Sequence, residues 1–423
     1  MPLDAWTRAA CLAFALATLY ALAVVAFRLP AWQADHRDAF RIALLLHVNL
    51  AVFVWLALTM AGQWARSLGA AAWRWPVVAG VCGTVLLAAA PLAGGVPQMA
   101  DYFPWLADNL LFTLGFALVS AGTLAQAVQR LCQPVHEGHG DSALRLAAWP
   151  AVFAPLAAVT AMLNGADGVD IAWAAGHTLL FAHVAMLCHE WTVHGGGQPR
   201  RAVRALSVLV FASAGLALLP CFLAPGTAAF RTAYSWSMIG LLWMPPFYVA
   251  FGLRKSGRER QAPVSGFALV ISLSLFALGC LLGIAIALDG RPTTLVTAHY
   301  HAAVGAVAIS RMGMAYRQTG NLATDPLRWP SLRKQLAVYA SALMLLTAGL
   351  TLAAVEGAPR KTSAAELVAK GAWYRAGMTV AGVGGTLAMV GTTWLLINLL
   401  GSGRKNSSAR RLSLPHREAP HEL

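Results

Sequence analysis

The feature that most constrains this chain is a series of apolar runs, each about 18 residues or longer, that recurs from one end to the other. Hydrophobic residues make up 58% of the sequence and charged residues only 11%, which is unlike a soluble domain. The runs predict an all-α integral membrane protein with twelve transmembrane helices. We number these predicted helices span 1 to span 12, and they cover residues 8–27, 42–62, 75–93, 105–127, 146–163, 171–191, 203–223, 232–253, 266–287, 292–314, 335–355 and 376–400.

No soluble domain fits between the spans, so residues 1–402 are expected to form a single polytopic membrane domain. Residues 403–423 are polar, basic and proline-containing, which predicts a disordered cytoplasmic tail. The first span lacks a cleavage-like sequence after it, and this favours a membrane anchor over a removed signal peptide.

The basic residues predict which side of the membrane each loop occupies. Most of the 31 Lys and Arg residues fall on one side if both termini and the even-numbered loops are cytoplasmic. Because positively charged loops favour the cytoplasm, we predict a multi-pass protein of the bacterial inner membrane with both termini inside. The net charge of +14 then reflects topology and contact with the lipid bilayer. It does not indicate nucleic-acid binding, since there is no folded basic domain outside the spans.

The six cysteines point to neither a disulfide framework nor a zinc site, because no two of them form a CxxC pair. A CxxCH motif for covalent haem attachment is absent as well.

The most informative chemical feature is the pair His299 and His301, which lies inside the apolar stretch TTLVTAHYHAAVGAVAIS. Ionisable side chains within a membrane are costly and are functional candidates by default. Successive residues of an α-helix are rotated by about 100°, so these two imidazoles point to nearly opposite sides. One helix is thereby predicted to supply ligands to two separate sites.

Two further histidines share the depth of His299. His47, His177 and His299 lie about five, six and seven residues into spans that all run inwards, roughly 8–11 Å below the outer surface. Imidazoles at one level on different helices are suited to haem iron, and two facing imidazoles give a low-spin haem for electron transfer. The ordinary alternative is a set of buried histidines that hydrogen-bond backbone carbonyls or water.

His183 and His189 follow His177 on span 6 but are rotated from it by about 240° and 120°, so the three cannot share one face. For His183 we predict a packing or polar-contact role. His189 stands beside Glu190 and Trp191, where we predict an interfacial position at the cytoplasmic edge. No Asp or Glu is predicted in the middle of any span, and the sequence therefore indicates no acidic proton relay.

Three stretches carry a family resemblance: LLLHVNLAVFVWLALTMAG in span 2, AAGHTLLF in span 6 and AHYHAAVGAVAISRMGMAYR in span 10. Together with the twelve spans they resemble subunit I of haem-copper oxidases, such as cytochrome c oxidase, and most of all the cbb(3)-type and nitric oxide reductase branch. The resemblance implies the bundle fold of that subunit and an oxidoreductase of a respiratory chain. It also implies two haems of b type, with a cytochrome c or another subunit as the electron donor.

Carried over residue by residue, the resemblance implies a role for each histidine. His47 and His301 would be the two axial ligands of a low-spin haem. His299 would be the proximal ligand of a high-spin haem that binds a gas. His177 would be the first of three histidines around a copper or non-haem iron ion that faces the second haem.

The resemblance also implies a role for Arg360 and Lys361 between spans 11 and 12, where the family keeps basic residues against the haem propionates. A charge-assisted contact with carboxylates is chemically suited to both side chains. Ordinary solvated charges are the alternative.

The sequence departs from the family at the second metal. The family has two adjacent histidines at the outer end of span 7, where this chain reads ALLPCFLAPGTAAF. Cys221 stands there, although a lone cysteine in an apolar run is more often a packing residue. The tyrosine that oxygen-reducing members keep near the metal is also missing, since Phe181 lies four residues after His177 and span 7 has no tyrosine. A copper or non-haem iron site is thus expected to lack most of its ligands.

Three functions are compatible with these observations. The first is a respiratory subunit that passes electrons from a low-spin to a high-spin haem, where oxygen or nitric oxide is bound or reduced. The second is a degenerate relative that only transfers electrons or senses a gas. The third is a secondary transporter, but its substrate site would lie at the midplane of the membrane, below the level of the histidines.

Overall fold

The computed structural model describes residues 4–27, 37–134, 139–195, 199–253, 263–319, 326–361 and 371–412, and these are almost entirely helical. The α-helices in these ranges are α1 (Ala5–Ala26), α2 (Arg37–Val48), α3 (Trp55–Leu68), α4 (Trp75–Ala89), α5 (Leu110–Cys132), α6 (His139–Leu146), α7 (Trp149–Leu163), α8 (Gly168–Gly195), α9 (Pro199–Leu218), α10 (Ala228–Ser237), α11 (Met244–Leu253), α12 (Pro263–Asp289), α13 (Thr294–Gln318), α14 (Trp329–Val355) and α15 (Ala372–Leu412). π-Helical turns join α2 to α3 (Asn49–Val54) and α10 to α11 (Met238–Leu242). Short 3-10 turns occupy Gly69–Ala71, Ala90–Ala93 and Leu219–Cys221.

Helices lie at all twelve predicted spans, and within the described ranges eleven helical stretches are long and apolar enough to cross a membrane. The prediction of an all-helical, multi-pass membrane protein is therefore confirmed. The remaining span is α13, where His299, His301 and Arg311 lower the mean hydropathy. The count of twelve stays a prediction, as do the orientation and the choice of membrane.

Helix α15 extends to Leu412, past residue 402, where the membrane domain was predicted to end. The domain boundary and the disordered cytoplasmic tail stay predictions. The first proline after the span is Pro415, so no residue up to 412 lacks the backbone N–H that a helix needs. Residues 413–423 of the predicted tail lie outside the described part of the chain.

Helix α8 lies at the centre of the bundle. In its most apolar stretch 72% of the residues are buried within the protein, compared with 28% for α12. Membrane helices that face lipid remain apolar without being buried by protein, whereas a central helix can carry polar groups that contact its neighbours. The position of α8 explains how it accommodates four histidines and a glutamate.

A small β-hairpin closes one end of the bundle, which we call the hairpin end. Strand β1 (Val96–Gln98) pairs antiparallel with β2 (Trp105–Ala107), and residues 99–104 form the loop between them. The start of α13 is fixed at the same end, because the Thr294 amide donates to the Ala358 carbonyl at 2.8 Å. The opposite end carries Asp4, and we call it the Asp4 end.

Candidate functional site

The four histidines predicted to bind metal share one hydrogen-bonding pattern. In each, ring atom Nδ1 contacts a backbone carbonyl oxygen, which can only accept, so Nδ1 carries the proton. In the neutral ring Nε2 then keeps its lone pair, and this tautomer presents Nε2 to a metal. The contacts are His47 to Ala17 (3.0 Å), His177 to Trp173 (2.8 Å), His299 to Gly279 (2.7 Å) and His301 to Thr297 (2.8 Å).

Two glycines of α12 set the position of the His299 ring. A Cβ atom at Gly279 would lie 2.9 Å from the Ala303 amide nitrogen, so only glycine lets the two helices approach closely enough for the Nδ1 contact. One turn further, a Cβ at Gly283 would lie 3.1 Å from Cε1 of His299. The imidazole is therefore held against a surface of α12 that has no side chain.

The His47 ring precedes a π-helical turn, a feature that occurs mostly at functional sites. Asn49, the first residue of that turn, donates from Nδ2 to the Leu45 carbonyl at 2.9 Å and to the Pro104 carbonyl at 2.7 Å. The second bond ties α2 to the hairpin loop. Sequence periodicity gave no sign of this irregularity.

The Nε2 atom of His177 contacts a tyrosine of the hairpin loop. The Tyr102 hydroxyl lies 3.1 Å from Nε2, and since Nδ1 carries the ring proton, the phenol is the donor. The sequence did not predict this partner, which comes from the hairpin loop. The rings of Tyr234 and Tyr300 are also near, with centres 5.4 Å from His177 and 6.0 Å from Tyr102, respectively.

Tyr102 is held in place by its backbone and by a glycine. Its φ of 65° falls in the left-handed region, which costs a non-glycine residue of order 1 kcal/mol and is typical of functional or tightly packed positions. A Cβ at Gly176 would lie 2.4 Å from Cβ of Tyr102, so the Gly-His sequence of span 6 makes room for the tyrosine. Burial raises the pKa of the Tyr102 phenol well above its ordinary value, and the hydroxyl stays protonated.

The described residues provide few ligands for a second metal ion. Within the described ranges no three His, Cys, Asp or Glu side chains converge on a common position that could hold a metal ion. Cys221 is exposed at the surface of the bundle, and its Sγ lies 4.0 Å from Nδ2 of Asn164. A copper or non-haem iron ion beside His177 does not fit the residues present, because Tyr102 takes the only free nitrogen of that ring.

Arg360 and Lys361 lie at the hairpin end and converge on a single carboxylate. Asp101 contacts Arg360 Nη1 at 2.9 Å and Lys361 Nζ at 2.7 Å, while Nζ also donates to the carbonyls of Met99 and Ala100. Burial acts to raise the pKa of Asp101, but the two cations outweigh it and hold the pKa below its ordinary value. Burial and the neighbouring Arg360 charge lower the pKa of Lys361, and together they outweigh Asp101, which acts to raise it. The group thus carries one net positive charge next to Tyr102.

The C-terminal part of α8 lies in a different environment from the one predicted from the sequence. His189, Glu190 and Trp191 were predicted at an interface, yet all three are buried inside the bundle, and Glu190 is fully buried. Glu190 forms an ion pair with Arg311 of α13 and accepts a hydrogen bond from Gln63 at 2.6 Å. The prediction was wrong because it placed the end of the span near residue 191, whereas α8 continues to Gly195. A glutamate and an arginine in two separate apolar runs were the available signal for this pair.

Comparisons with known proteins reveal a similarity of fold. No protein-family profile matches the sequence, and no curated protein matches it either. Among solved structures, a chain in the cryo-EM structure of a haem-copper terminal oxidase dimer superposes with a TM-score of 0.70. The two sequences are 16% identical, and the alignment covers 100% of this chain and 86% of the other. The chain therefore has the fold of a haem-copper terminal oxidase subunit, which agrees with the fold predicted from the spans and histidines.

Proposed function

We propose that this chain is a haem-binding, respiratory oxidase-like membrane subunit. In this proposal His47 and His301 hold a low-spin haem, and His299 holds a second haem whose open side binds oxygen or nitric oxide. The single observation that carries the proposal is the shared tautomer of these histidines. Each presents Nε2 and fixes Nδ1 on a carbonyl, on a fold similar to that of a haem-copper terminal oxidase subunit.

The chain's own residues orient the ligands. The carbonyls of Ala17 and Gly279, which come from neighbouring helices, hold the His47 and His299 rings in fixed orientations and make the opposite nitrogen a better donor. When bound, a bis-histidine haem supplies reversible one-electron transfer, and a haem with one protein ligand supplies an open iron position for a gas. Arg360 and Lys361 are proposed to offset the propionate charge, with Asp101 setting their positions.

A second candidate function is electron transfer or gas sensing without multi-electron reduction. The Tyr102–His177 hydrogen bond favours it, because the residue expected to bind the second metal is engaged by a phenol. Without that metal, the haem iron would be the one metal ion beside the bound gas that could supply electrons for its reduction.

Spectroscopy of the purified protein tests the proposal. We expect haem absorption in the reduced-minus-oxidised spectrum, loss of the low-spin component in His47→Ala and in His301→Ala, and loss of the high-spin component in His299→Ala. The matched control is His194→Ala, because Nε2 of that buried histidine donates to the Ser310 carbonyl at 3.1 Å. A preparation without any haem band refutes the proposal, and an unchanged spectrum in His47→Ala refutes that ligand.

Metal analysis and carbon monoxide binding separate the two candidate functions. Carbon monoxide binding to the reduced protein without copper or non-haem iron supports gas binding alone. One second-metal ion per chain together with oxygen or nitric oxide turnover supports the reductase.

A further inference from the structure

Among the residues that the structure describes, the half of the bundle towards the Asp4 end contains buried polar atoms without a hydrogen-bond partner. Around the ion pair of Glu190 and Arg311 these are Oε2 of Glu190, Nη2 of Arg311 and Nδ1 of His183. Each of these three residues is at most 3% exposed. Buried polar atoms are nearly always hydrogen-bonded, so a cluster without partners indicates water or an ion in its place.

A cavity lies beside the same ion pair. It occupies about 40 Å³ between α1, α3, α13 and α15, which is space for roughly two to four water molecules. Its polar lining includes Arg311 of the pair, Thr59 and Gln63, which hydrogen-bond Arg311 and Glu190 respectively, and Thr7 and Arg66 towards the Asp4 end. Glu190 is in contact with two of these lining residues and is not itself part of the lining.

One oxygen of Glu190 is committed and the other is not. Oε1 receives the Gln63 amide at 2.6 Å and contacts Arg311, while Oε2 has no partner. Arg311 in turn donates from Nη1 to the Leu56 carbonyl at 3.1 Å and to the Thr59 hydroxyl at 2.7 Å, which leaves Nη2. Glu190 and Arg311 therefore each have one polar atom available for a hydrogen bond with water.

We propose that this cavity is a hydrated proton-exchange site in which water from the Asp4 end, predicted to be cytoplasmic, reaches the ion pair and exchanges protons with Glu190. In the exchange, a hydronium ion transfers its proton to Oε2 and becomes water, while Arg311 keeps its charge. The titratable or charged groups around Glu190 are Arg311 on α13 and His183 and His189 on its own helix, with Asp141 beyond His189. This proposal does not depend on haem binding, so a result that refutes the proposed function does not refute the proton-exchange site, and the reverse also holds.

Cysteine labelling tests the hydration. In a chain whose six native cysteines are replaced by alanine, Thr59→Cys places a thiol in the cavity lining. Thr192→Cys is the matched control, since Thr192, like Thr59, is a half-buried threonine bonded to its own helix, through the Cys188 carbonyl at 2.8 Å, and does not line the cavity. With a small water-soluble methanethiosulfonate applied from the Asp4 side of membrane vesicles, we expect Thr59→Cys to react at least tenfold faster. Equal rates would overturn the hydrated cavity.

A native residue repeats the measurement in case Thr59→Cys does not fold. Cys11 belongs to the cavity lining, whereas Cys188 is buried elsewhere in the bundle. A chain that keeps only Cys11 should react faster than a chain that keeps only Cys188.

Infrared spectroscopy tests the proton exchange. On acidification of the bulk solution, a protonated carboxyl band should appear that shifts in D₂O, is absent in Glu190→Gln and is kept in Glu356→Gln. Glu356 is a suitable control because its carboxylate accepts from the Trp373 and Tyr374 amides in a loop outside the cavity. Spectra of the two variants that cannot be distinguished would refute the role of Glu190.

Discussion

Replacement of Arg311 by methionine should destabilise the protein more than any surface charge change. The Glu190–Arg311 pair is fully desolvated, with side-chain exposures of 0% and 1%. Removal of one partner leaves the other charge buried and uncompensated, which costs about 3–5 kcal/mol, or roughly a 150-fold to 5,000-fold change in the unfolding equilibrium. In the double variant Arg311→Met/Glu190→Gln no charge remains, and Gln63 can still donate to the amide oxygen. We expect most of the loss to be recovered, since a neutral replacement of a buried pair is often close to neutral.

The partly exposed pair of Arg66 and Asp4 provides the comparison. Its N–O distance is 2.8 Å, but the side chains are 28% and 40% exposed, and pairs of this kind contribute about 0–1 kcal/mol. Reversible unfolding in mixed detergent micelles would measure Arg311→Met, the double variant and Arg66→Met under the same conditions. The reasoning is refuted if Arg311→Met costs no more than Arg66→Met, or if the double variant is less stable than Arg311→Met alone.

Three further predictions concern the hairpin end. Gly283→Ala adds a methyl group 3.1 Å from the His299 ring, and we expect a perturbed high-spin spectrum or weaker haem retention while the low-spin component persists. Gly176→Ala places a methyl group 2.4 Å from Cβ of Tyr102, and we expect a lower unfolding temperature and faster proteolysis of the hairpin loop. The pKa of Asp101 is lowered in the folded state, so its contribution to stability is complete above its ordinary pKa and is lost as the pH falls through the lowered value. Thermal unfolding should therefore show a loss below about pH 4 that Asp101→Asn removes.

Glycines with free space around them serve as controls for the Gly283→Ala and Gly176→Ala predictions. Gly215→Ala and Gly385→Ala have no atom within 4 Å of the added Cβ, and both should match the parent protein in spectrum and stability. If they perturb the protein as much as Gly283→Ala and Gly176→Ala, the effect belongs to glycine replacement in general. For the pH profile, an acid-induced loss that persists unchanged in Asp101→Asn would contradict the assignment to that carboxyl.

Much of the fold could be predicted because membrane helices follow from local composition. Apolar runs of sufficient length predict helices without knowledge of their neighbours, since every backbone polar group must be satisfied within the segment. The expected bundle and its likeness to oxidase subunits agree with the structure. The end of α8 was misjudged near Glu190, because a charged residue signals the membrane edge only when no buried partner compensates it.

The candidate site was only partly visible in the sequence. The rotation between His299 and His301 follows from helix geometry, and the lack of histidines in span 7 is visible in the sequence itself. The carbonyl partner of the His299 ring depends on how closely α12 approaches α13. Gly279 permits that approach, but a glycine in an apolar run does not predict it. Tyr102 could not be placed at all, because it lies in a loop whose path is set by the hairpin.

The sequence by itself determined that this chain is a helical membrane protein, and it predicted a common depth for histidines on separate helices. Local hydropathy and the fixed rise and rotation of the α-helix suffice for both conclusions. Only the tertiary structure decided that Tyr102 engages His177 across 75 residues and that Glu190 meets Arg311 inside the bundle. These pairings depend on which helix faces are neighbours, and that is a property of packing rather than of any single segment.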